Sequence, residues 1–152
     1  MHFYNLINEL CKDKESILFV DMDGVIASYE YGKPLDFANK RPLISNIRTL
    51  EKIASLNNLE LHILSICRED FQIEEKKQWL KENAPFFKEE NVHILSKHGN
   101  KDESSSEMKM VFIKDFNTDR QIILVDDDIR VLKKIDSNVD NIILFQDSEL
   151  VD

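Results

Sequence analysis

The chain has 152 residues, of which 42% are hydrophobic and 32% are charged. This length suits one domain with a sizeable core, and the composition is that of an ordinary soluble globular protein. The 20 lysines and arginines are outnumbered by 29 aspartates and glutamates, which gives a net charge of −9. Such an acidic balance argues against a surface that binds duplex nucleic acid through its phosphates. We expect a single domain over residues 1–152.

The start of the chain, MHFYNLINEL, lacks the basic residues and the long apolar core of a signal peptide. No apolar run approaches the length of a membrane span. Cys11 and Cys67 are too few for a disulfide scaffold, and we expect both to be buried thiols in a reducing compartment. These features predict a cytoplasmic protein with no membrane partner. They do not indicate any particular oligomeric state.

Helices and strands are predicted to alternate along the chain. Apolar residues at helical spacing predict helices over about 3–12, 43–56, 71–87, 104–116 and 129–136. Apolar runs predict strands over about 16–21, 59–65, 92–95, 122–125 and 141–145. Such an alternation indicates an α/β fold, in which a five-stranded parallel sheet is covered by helices on both faces in a three-layer, Rossmann-like arrangement.

Acidic and hydroxyl side chains follow three of these predicted strands. Asp21 and Asp23 follow the first strand, and Gly24 marks a sharp turn there. Ser65 ends the second strand, and the run 126–128 of three aspartates ends the fourth. The carboxyl ends of parallel strands meet at one edge of the sheet, where ligands bind in α/β folds. Carboxylates gathered there need a compensating charge, and a divalent cation is the obvious candidate.

The residues at these strand ends resemble the motifs of the haloacid dehalogenase-like (HAD) superfamily of phosphatases and phosphotransferases. DMDGV resembles its first motif, the strand with Ser65 its second, and ILVDD its acidic fourth. The motifs stand in the family's order and cover nearly the whole chain. DMDGV and EKKQWLKENAP look most like the 5'(3')-deoxyribonucleotidase branch. The intervals between motifs are filled by core elements, so we expect no large cap domain.

The resemblance implies a Mg²⁺-dependent phosphomonoesterase that works through an aspartyl-phosphate. Asp21 would be the nucleophile, Asp23 the general acid and base, and Ser65 a hydrogen-bond donor to the phosphate. Mg²⁺ would be bound by Asp21, the backbone carbonyl of Asp23 and Asp126, with Asp127 in or beside that shell. To act as an acid near neutral pH, Asp23 would need its pKa raised from about 3.9 to about 6.

The family also has a lysine that steadies the nucleophile and the phosphate. Lys97, Lys101, Lys109 and Lys114 all lie between the second and the fourth strand. Lys109 is favoured because it lies early in its predicted helix, before an apolar run as in similar proteins, and Lys101 is the second choice. The run 74–77, EEKK, is interpreted as a solvated helix face, and Asp128 as the N-cap of the last helix.

The segment 29–42 has no periodicity and is expected to be a flap loop over the site. Tyr29 and Tyr31 in it are candidates for stacking on a base or for plain packing. Arg68 is a candidate for binding a substrate phosphate or for a surface ion pair. The expected partner is a phosphorylated substrate, such as a nucleotide or the terminal phosphate of a nucleic acid. A non-catalytic HAD-fold binding module and a phosphotransferase remain as alternatives.

Overall fold

The computed structural model of the chain describes residues 2–29, 37–98, 100 and 102–151. Within these ranges the helices are α1 (His2–Cys11), α2 (Ile44–Ala54), α3 (Phe71–Asn83), α4 (Ser105–Asp115) and α5 (Ile129–Asn138). The strands are β1 (Ser16–Val20), β2 (Leu59–Cys67), β3 (Val92–Ser96), β4 (Gln121–Asp126) and β5 (Ile142–Gln146). Short 3-10 turns lie at Phe37–Asn39, Glu89–Asn91 and Asp147–Leu150.

The strands form one parallel sheet in the order β3-β2-β1-β4-β5. β1 lies at its centre, where Val20 pairs with Ile63 of β2 on one side and with Val125 of β4 on the other. β1 therefore ends between two strands that continue, β2 through Cys67 and β4 through Asp126. The predicted α/β fold with a five-stranded parallel sheet is confirmed.

Both faces of the sheet are covered by helices, because alternate residues of β1 enter separate cores. Leu18 and Val20 pack in a core with residues of α1, α2 and α3. Ile17 and Phe19 pack on the opposite face with residues of α4 and α5. All residues of β1 are buried, as its apolar run predicts for a central parallel strand. The result is the predicted three-layer, Rossmann-like arrangement.

Several predicted boundaries differ from the structure, among them the ends of β2 and α3. Ser65 does not end β2 but lies inside it, because Ile66 and Cys67 continue the hydrogen-bonded pairing with β3. α3 ends at Asn83 rather than near residue 87. Its C-cap residue, Ala84, has φ −146° and ψ 63°, in keeping with the restriction that a following proline places on the helical conformation.

Part of the predicted flap over 29–42 lies outside the described residues. Tyr31 belongs to that part. The two ends of the segment are held together, because the Ser28 N–H donates to the Arg41 carbonyl over 2.8 Å and Ala27 forms an antiparallel bridge with Pro42. Each side of the flap therefore starts from a fixed position beside the end of β1.

The described part of the chain contains no helix with the length and apolar character needed to cross a membrane. Cys11 and Cys67 are buried free thiols, as the sequence predicts. The cytoplasmic location stays a prediction.

Candidate active site

A cluster of carboxylates lies at the carboxyl edge of the sheet. Asp21 directly follows β1, and Asp126 is the last residue of the neighbouring strand β4. Carboxylate oxygens of Asp21, Asp126 and Asp127 lie within 4.8 Å of one another. Asp21 and Asp126 are buried, whereas Asp127 is exposed. The pairing of β1 with β4 thus brings together acidic residues that are far apart in the chain.

Lys109 on α4 joins two of these carboxylates. Its Nζ lies 2.9 Å from Asp21 Oδ1 and 2.6 Å from Asp126 Oδ2, and its side chain is buried. Burial alone would lower the pKa of Lys109, but the charges of Asp21 and Asp126 outweigh it and raise that pKa above its usual value. Lys109 is therefore a permanent cation at the centre of the cluster.

One lysine does not compensate the whole cluster. Burial and then the charge of Asp21 raise the pKa of Asp126 to about 6. The same two causes raise the pKa of Asp127 to about 8, because its carboxyl group is partly buried although the residue as a whole is exposed. The raised pKa values mean that burial and mutual repulsion both disfavour the ionised forms. Carboxylate oxygens are the ligands preferred by Mg²⁺ and other hard divalent cations. The donor set of Asp21, Asp126 and Asp127 thus fits a divalent cation of this kind.

The turn after β1 leaves room for Asp127. Gly24 has φ +82°, a conformation that residues with a side chain rarely adopt. A Cβ atom at this position would lie 2.1 Å from Asp127 Oδ2 and 2.7 Å from its Cγ. The turn is fixed by a hydrogen bond of 2.8 Å from the Gly24 N–H to the Ala27 carbonyl. Glycine is therefore required here both for its backbone conformation and for the close approach of Asp127.

Asp23 is held by lysines rather than by the carboxylate cluster. Lys40 Nζ donates to Asp23 Oδ1, and Lys76 Nζ donates to Asp23 Oδ2 over 3.0 Å. Burial would raise the pKa of Asp23, but Lys76 and Lys40 together outweigh it and lower that pKa below its usual value. The expectation of a raised pKa for Asp23 is therefore wrong.

Lys76 is the clearest departure from the sequence-based expectation. It lies on α3 in the run interpreted as a solvated face, yet it is only 2% exposed. Its Nζ donates to Ser65 Oγ over 2.7 Å and to the Ile66 carbonyl over 2.9 Å, besides Asp23. Since Ser65 accepts this bond, its own hydroxyl proton is available for another acceptor. Ser65, Asp23 and Lys76 thus form one connected polar group.

The sequence carried a signal for the burial of Lys76. Gln72 and Trp79 of α3 are both buried, and they lie four positions before and three positions after Lys76. This spacing places all three on one face of the helix. Lys40 carried no such signal, because it lies in a segment without periodicity.

The polar groups line a cleft with two adjoining lobes. The acidic lobe has a volume of about 550 Å³ and contains Asp21, Lys109, Asp126 and Asp127. The basic lobe has a volume of about 330 Å³ and contains Lys40, Arg68, Lys76 and Lys97. The residues that line both lobes are Asp23, Tyr29, Ile66, Ser105 and Arg130.

A further cavity lies at the opposite edge of the sheet. It has a volume of about 510 Å³, and its lining includes Glu15 just before β1 and Gln121 at the start of β4. These are the amino ends of the strands, away from the carboxylate cluster. The carboxyl edge is therefore the better candidate for an active site.

The structure also positions the remaining residues singled out in the sequence. Asp128 is the N-cap of α5, as predicted, and accepts from the Arg130 N–H over 2.9 Å. Its own N–H donates to Asp126 Oδ1 over 2.9 Å and so orients that carboxylate. Lys114 is exposed on α4 and lines neither lobe. Lys101 lies outside the described residues.

The fold is similar to that of solved proteins. A chain of the Pnkp1/Rnl/Hen1 complex matches with a TM-score of 0.67 and 16% sequence identity, over 88% of this chain and 46% of that one. A chain of the Pnkp1/Rnl/Hen1 RNA repair complex matches with the same TM-score and identity, over 88% of this chain and 42% of that one. The present chain therefore spans less than half the length of these relatives.

At this identity the likeness shows the fold alone. Comparisons with models of known protein families and with curated proteins gave no match.

Proposed function

We propose that the chain is a Mg²⁺-dependent phosphomonoesterase of the HAD type that works through an aspartyl-phosphate. The observation that carries the proposal is the contact of the buried Lys109 with both Asp21 and Asp126 inside a carboxylate cluster. A nucleophilic carboxylate, a cation for the phosphate and oxygen ligands for a metal are the groups that such a reaction needs. The order of the HAD-like motifs along the chain supports the same proposal.

The reaction proceeds in two steps. A carboxylate oxygen of Asp21 attacks the phosphorus, the bond from phosphorus to the ester oxygen breaks, and Asp23 gives a proton to the leaving oxygen. Water then attacks the phosphorus of the aspartyl-phosphate and gives a proton to Asp23. The bond from phosphorus to Asp21 breaks, so inorganic phosphate leaves and both carboxyl groups regain their initial states.

The buried donors hold the phosphate during these steps. Lys109 and the Ser65 hydroxyl donate to phosphate oxygens and stabilise the charge that develops in transfer. Lys76 contacts both Ser65 and Asp23, so a phosphate bound beside Ser65 competes with Asp23 for the Lys76 ammonium. When Lys76 turns to the phosphate, one of the interactions that lower the pKa of Asp23 is removed, which favours its protonation as an acid.

Asp21, Asp126 and Asp127 would hold Mg²⁺, and the backbone carbonyl of Asp23 would be a further ligand. When bound, the ion neutralises negative charge on the phosphate and on the carboxylates. Lys109 orients Asp21 and Asp126 through its hydrogen bonds to both.

The cleft and the comparisons support one substrate class. We take the substrate to be a nucleotide or the terminal phosphate of a nucleic acid. The exposed ring of Tyr29 beside the carboxylates suits a base, and the resemblance to the deoxyribonucleotidase branch supports the same class. One of the structural relatives belongs to an RNA repair complex, which is compatible with the processing of nucleic-acid ends.

Hydrolysis of p-nitrophenyl phosphate tests the proposal. The wild-type protein should turn over this substrate with Mg²⁺ and not with EDTA. The variant Asp21→Asn should lose at least about 1,000-fold in kcat, because an amide is a poor nucleophile. Asp136→Asn, an exposed residue of α5, is the matched control and should keep wild-type activity. Thermal melts of all three proteins establish that each is folded.

Other outcomes separate the alternatives. If Mg²⁺ raises the melting temperature and a panel of phosphomonoesters is not hydrolysed, the protein is a binding module. If added alcohols or nucleosides receive the phosphoryl group in preference to water, the protein is a phosphotransferase. Full activity of Asp21→Asn would exclude Asp21 as the nucleophile.

A further inference from the structure

The basic lobe is unusual in a chain with a net charge of −9. Lysine or arginine side chains supply most of its charged lining: Lys40, Arg68, Lys76, Lys97 and Arg130. Asp23 is the acidic residue among the lining residues. The lobe therefore has the opposite charge to the protein as a whole, and it opens directly beside the carboxylate cluster.

The cations of this lobe fall into two groups. Lys40 and Lys76 are paired with Asp23, and Arg130 is paired with Asp128 through Nε at 3.1 Å and Nη2 at 3.0 Å. Arg68 and Lys97, by contrast, have no acidic partner within the ranges that the structure describes. Two positive charges in the cleft are thus left for a ligand.

The backbones of Arg68 and Lys97 are fixed by hydrogen bonds. The Arg68 N–H donates to Gln72 Oε1 over 3.0 Å, and the Glu69 N–H donates to the same oxygen over 3.0 Å. The Lys97 N–H donates to the Cys67 carbonyl over 2.9 Å. The ends of β2 and β3 thereby anchor the backbones of two residues whose side chains line the same lobe.

We infer that the basic lobe binds a second phosphate group of the same molecule whose terminal phosphate reacts in the acidic lobe. This inference rests on the proposed function. A phosphate is the group that guanidinium and ammonium side chains recognise together. The two lobes share Asp23, Ile66 and Tyr29 in their linings, so one molecule can occupy both.

Tyr29 gives the inferred ligand its chemical class. The residue is 58% exposed and lines both lobes, and Lys40 Nζ lies 5.6 Å from the centre of its ring. It therefore lies where the part of the ligand between two phosphates would pass. Aromatic rings bind nucleobases by stacking, regardless of base sequence. The ligand is therefore a nucleotide unit with a phosphate on each side. It is either a nucleoside bisphosphate or the last residue of a single strand.

The test compares substrates with one and two phosphate groups. Values of kcat/KM are measured with Mg²⁺ for a nucleoside monophosphate, a nucleoside 3',5'-bisphosphate and a terminally phosphorylated trinucleotide. The same ligands are titrated into the Asp21→Asn protein, in which turnover is blocked, to give Kd values. The double variant Arg68→Ala/Lys97→Ala removes the two unpaired cations. Lys12→Ala/Lys133→Ala removes two exposed charges outside both lobes and is the matched control.

We expect the bisphosphate or the trinucleotide to bind the Asp21→Asn protein at least about 10-fold more tightly than the monophosphate. The double variant should bring this ratio close to one, and the control should leave it unchanged. For the trinucleotide, the slope of log Kd against the logarithm of the salt concentration should also change. In the double variant it should fall by about 0.7 for each phosphate that is no longer neutralised. A gain for the bisphosphate identifies a small ligand, and a gain for the trinucleotide alone identifies a strand.

Equal binding of all ligands, or an unchanged ratio in the double variant, would overturn the inference. The binding measurement decides this even if wild-type protein hydrolyses nothing. Failure of the proposed function would instead be seen as absent turnover of p-nitrophenyl phosphate and of every nucleotide. The two failures are therefore distinguishable.

Discussion

The balance of charge in the acidic lobe depends on Lys109. Its ammonium lies within 3 Å of two buried carboxylates, and a third carboxylate belongs to the same cluster. A buried carboxylate without a partner is costly, because the low-polarity surroundings do not replace the lost water. Lys109 therefore stabilises the folded protein whenever no other cation is in the site.

Replacement of this lysine tests that role. Lys109→Met keeps the length and the apolar stem of the side chain but removes the charge. We expect a loss of about 3 kcal/mol in the free energy of unfolding, measured with urea in EDTA, because a buried ion pair is broken on one side. Lys114→Met, an exposed position of the same helix, should cost about 0.5 kcal/mol or less. Equal losses in the two variants would contradict the role given to Lys109.

Sequence reasoning predicted single residues well where a motif fixed their position. Asp21, Asp126 and Lys109 were singled out from strand ends and from an early helical position, and the structure brings them into contact. Sequence reasoning missed Lys40 and Lys76. The spacing to Trp79 indicates the inward face for Lys76, but Lys40 lies in a segment without periodicity, so the lowered pKa of Asp23 could not be anticipated in full.

At the scale of elements, helix α4 positions the lysine that enters the cluster. The helix begins after Ser104, whose Oγ accepts a hydrogen bond from the Glu107 N–H over 3.3 Å. Its other end lies against the second core through Ile113. An N-cap of this kind satisfies one backbone donor that would otherwise have no partner in the first turn.

The N-cap can be tested without touching the site. Ser104→Ala should lower the free energy of unfolding by about 1 kcal/mol, and Ser104→Asp should restore most of it because aspartate also caps helices. Urea titrations of both variants give the values. Ser137→Ala near the end of α5 provides the comparison, since that exposed hydroxyl is not an N-cap. A Ser104→Ala variant as stable as wild type would show that the cap contributes nothing.

The existence and the order of the elements were predictable, and their ends were less so. Apolar runs and helical spacing report burial, which is why each of the five strands was predicted near its observed position. The end of β2 was misplaced because Ile66 and Cys67 are paired by β3, a partner distant in the chain. Such long-range pairing leaves no trace in the local sequence.

At the scale of the whole molecule, a histidine pair couples stability to pH. His62 Nδ1 and His93 Nε2 lie 2.9 Å apart on neighbouring strands, among Phe19, Phe112 and Phe116. Burial, and then the nearby His62, lowers the pKa of His93 from 6.5 to about 4. The folded protein therefore resists protonation of His93, whereas the unfolded chain accepts the proton more readily.

The sign of the pH effect follows from this difference. As the pH falls from about 6.5 to about 4, the unfolded state binds the proton first, so the folded state loses stability by up to about 1.4 kcal/mol per pH unit. Urea titrations between pH 7 and pH 5 should show a shallower decline for His93→Phe than for wild type. His98→Phe removes an exposed histidine and should leave the wild-type slope. A parallel decline of His93→Phe and wild type would contradict the assignment.

The order of the elements along the chain also determines when the site can form during synthesis. Asp21 and Asp23 follow the first strand, but Lys109 and Asp126 come from α4 and β4, late in the chain. A growing polypeptide therefore carries Asp21 long before it has Lys109, which pairs with that carboxylate. During synthesis, β4 can pair with β1 only after α4 has been made, and this pairing brings Asp21, Lys109 and Asp126 together. The activity that we propose would therefore report that the centre of the sheet is complete.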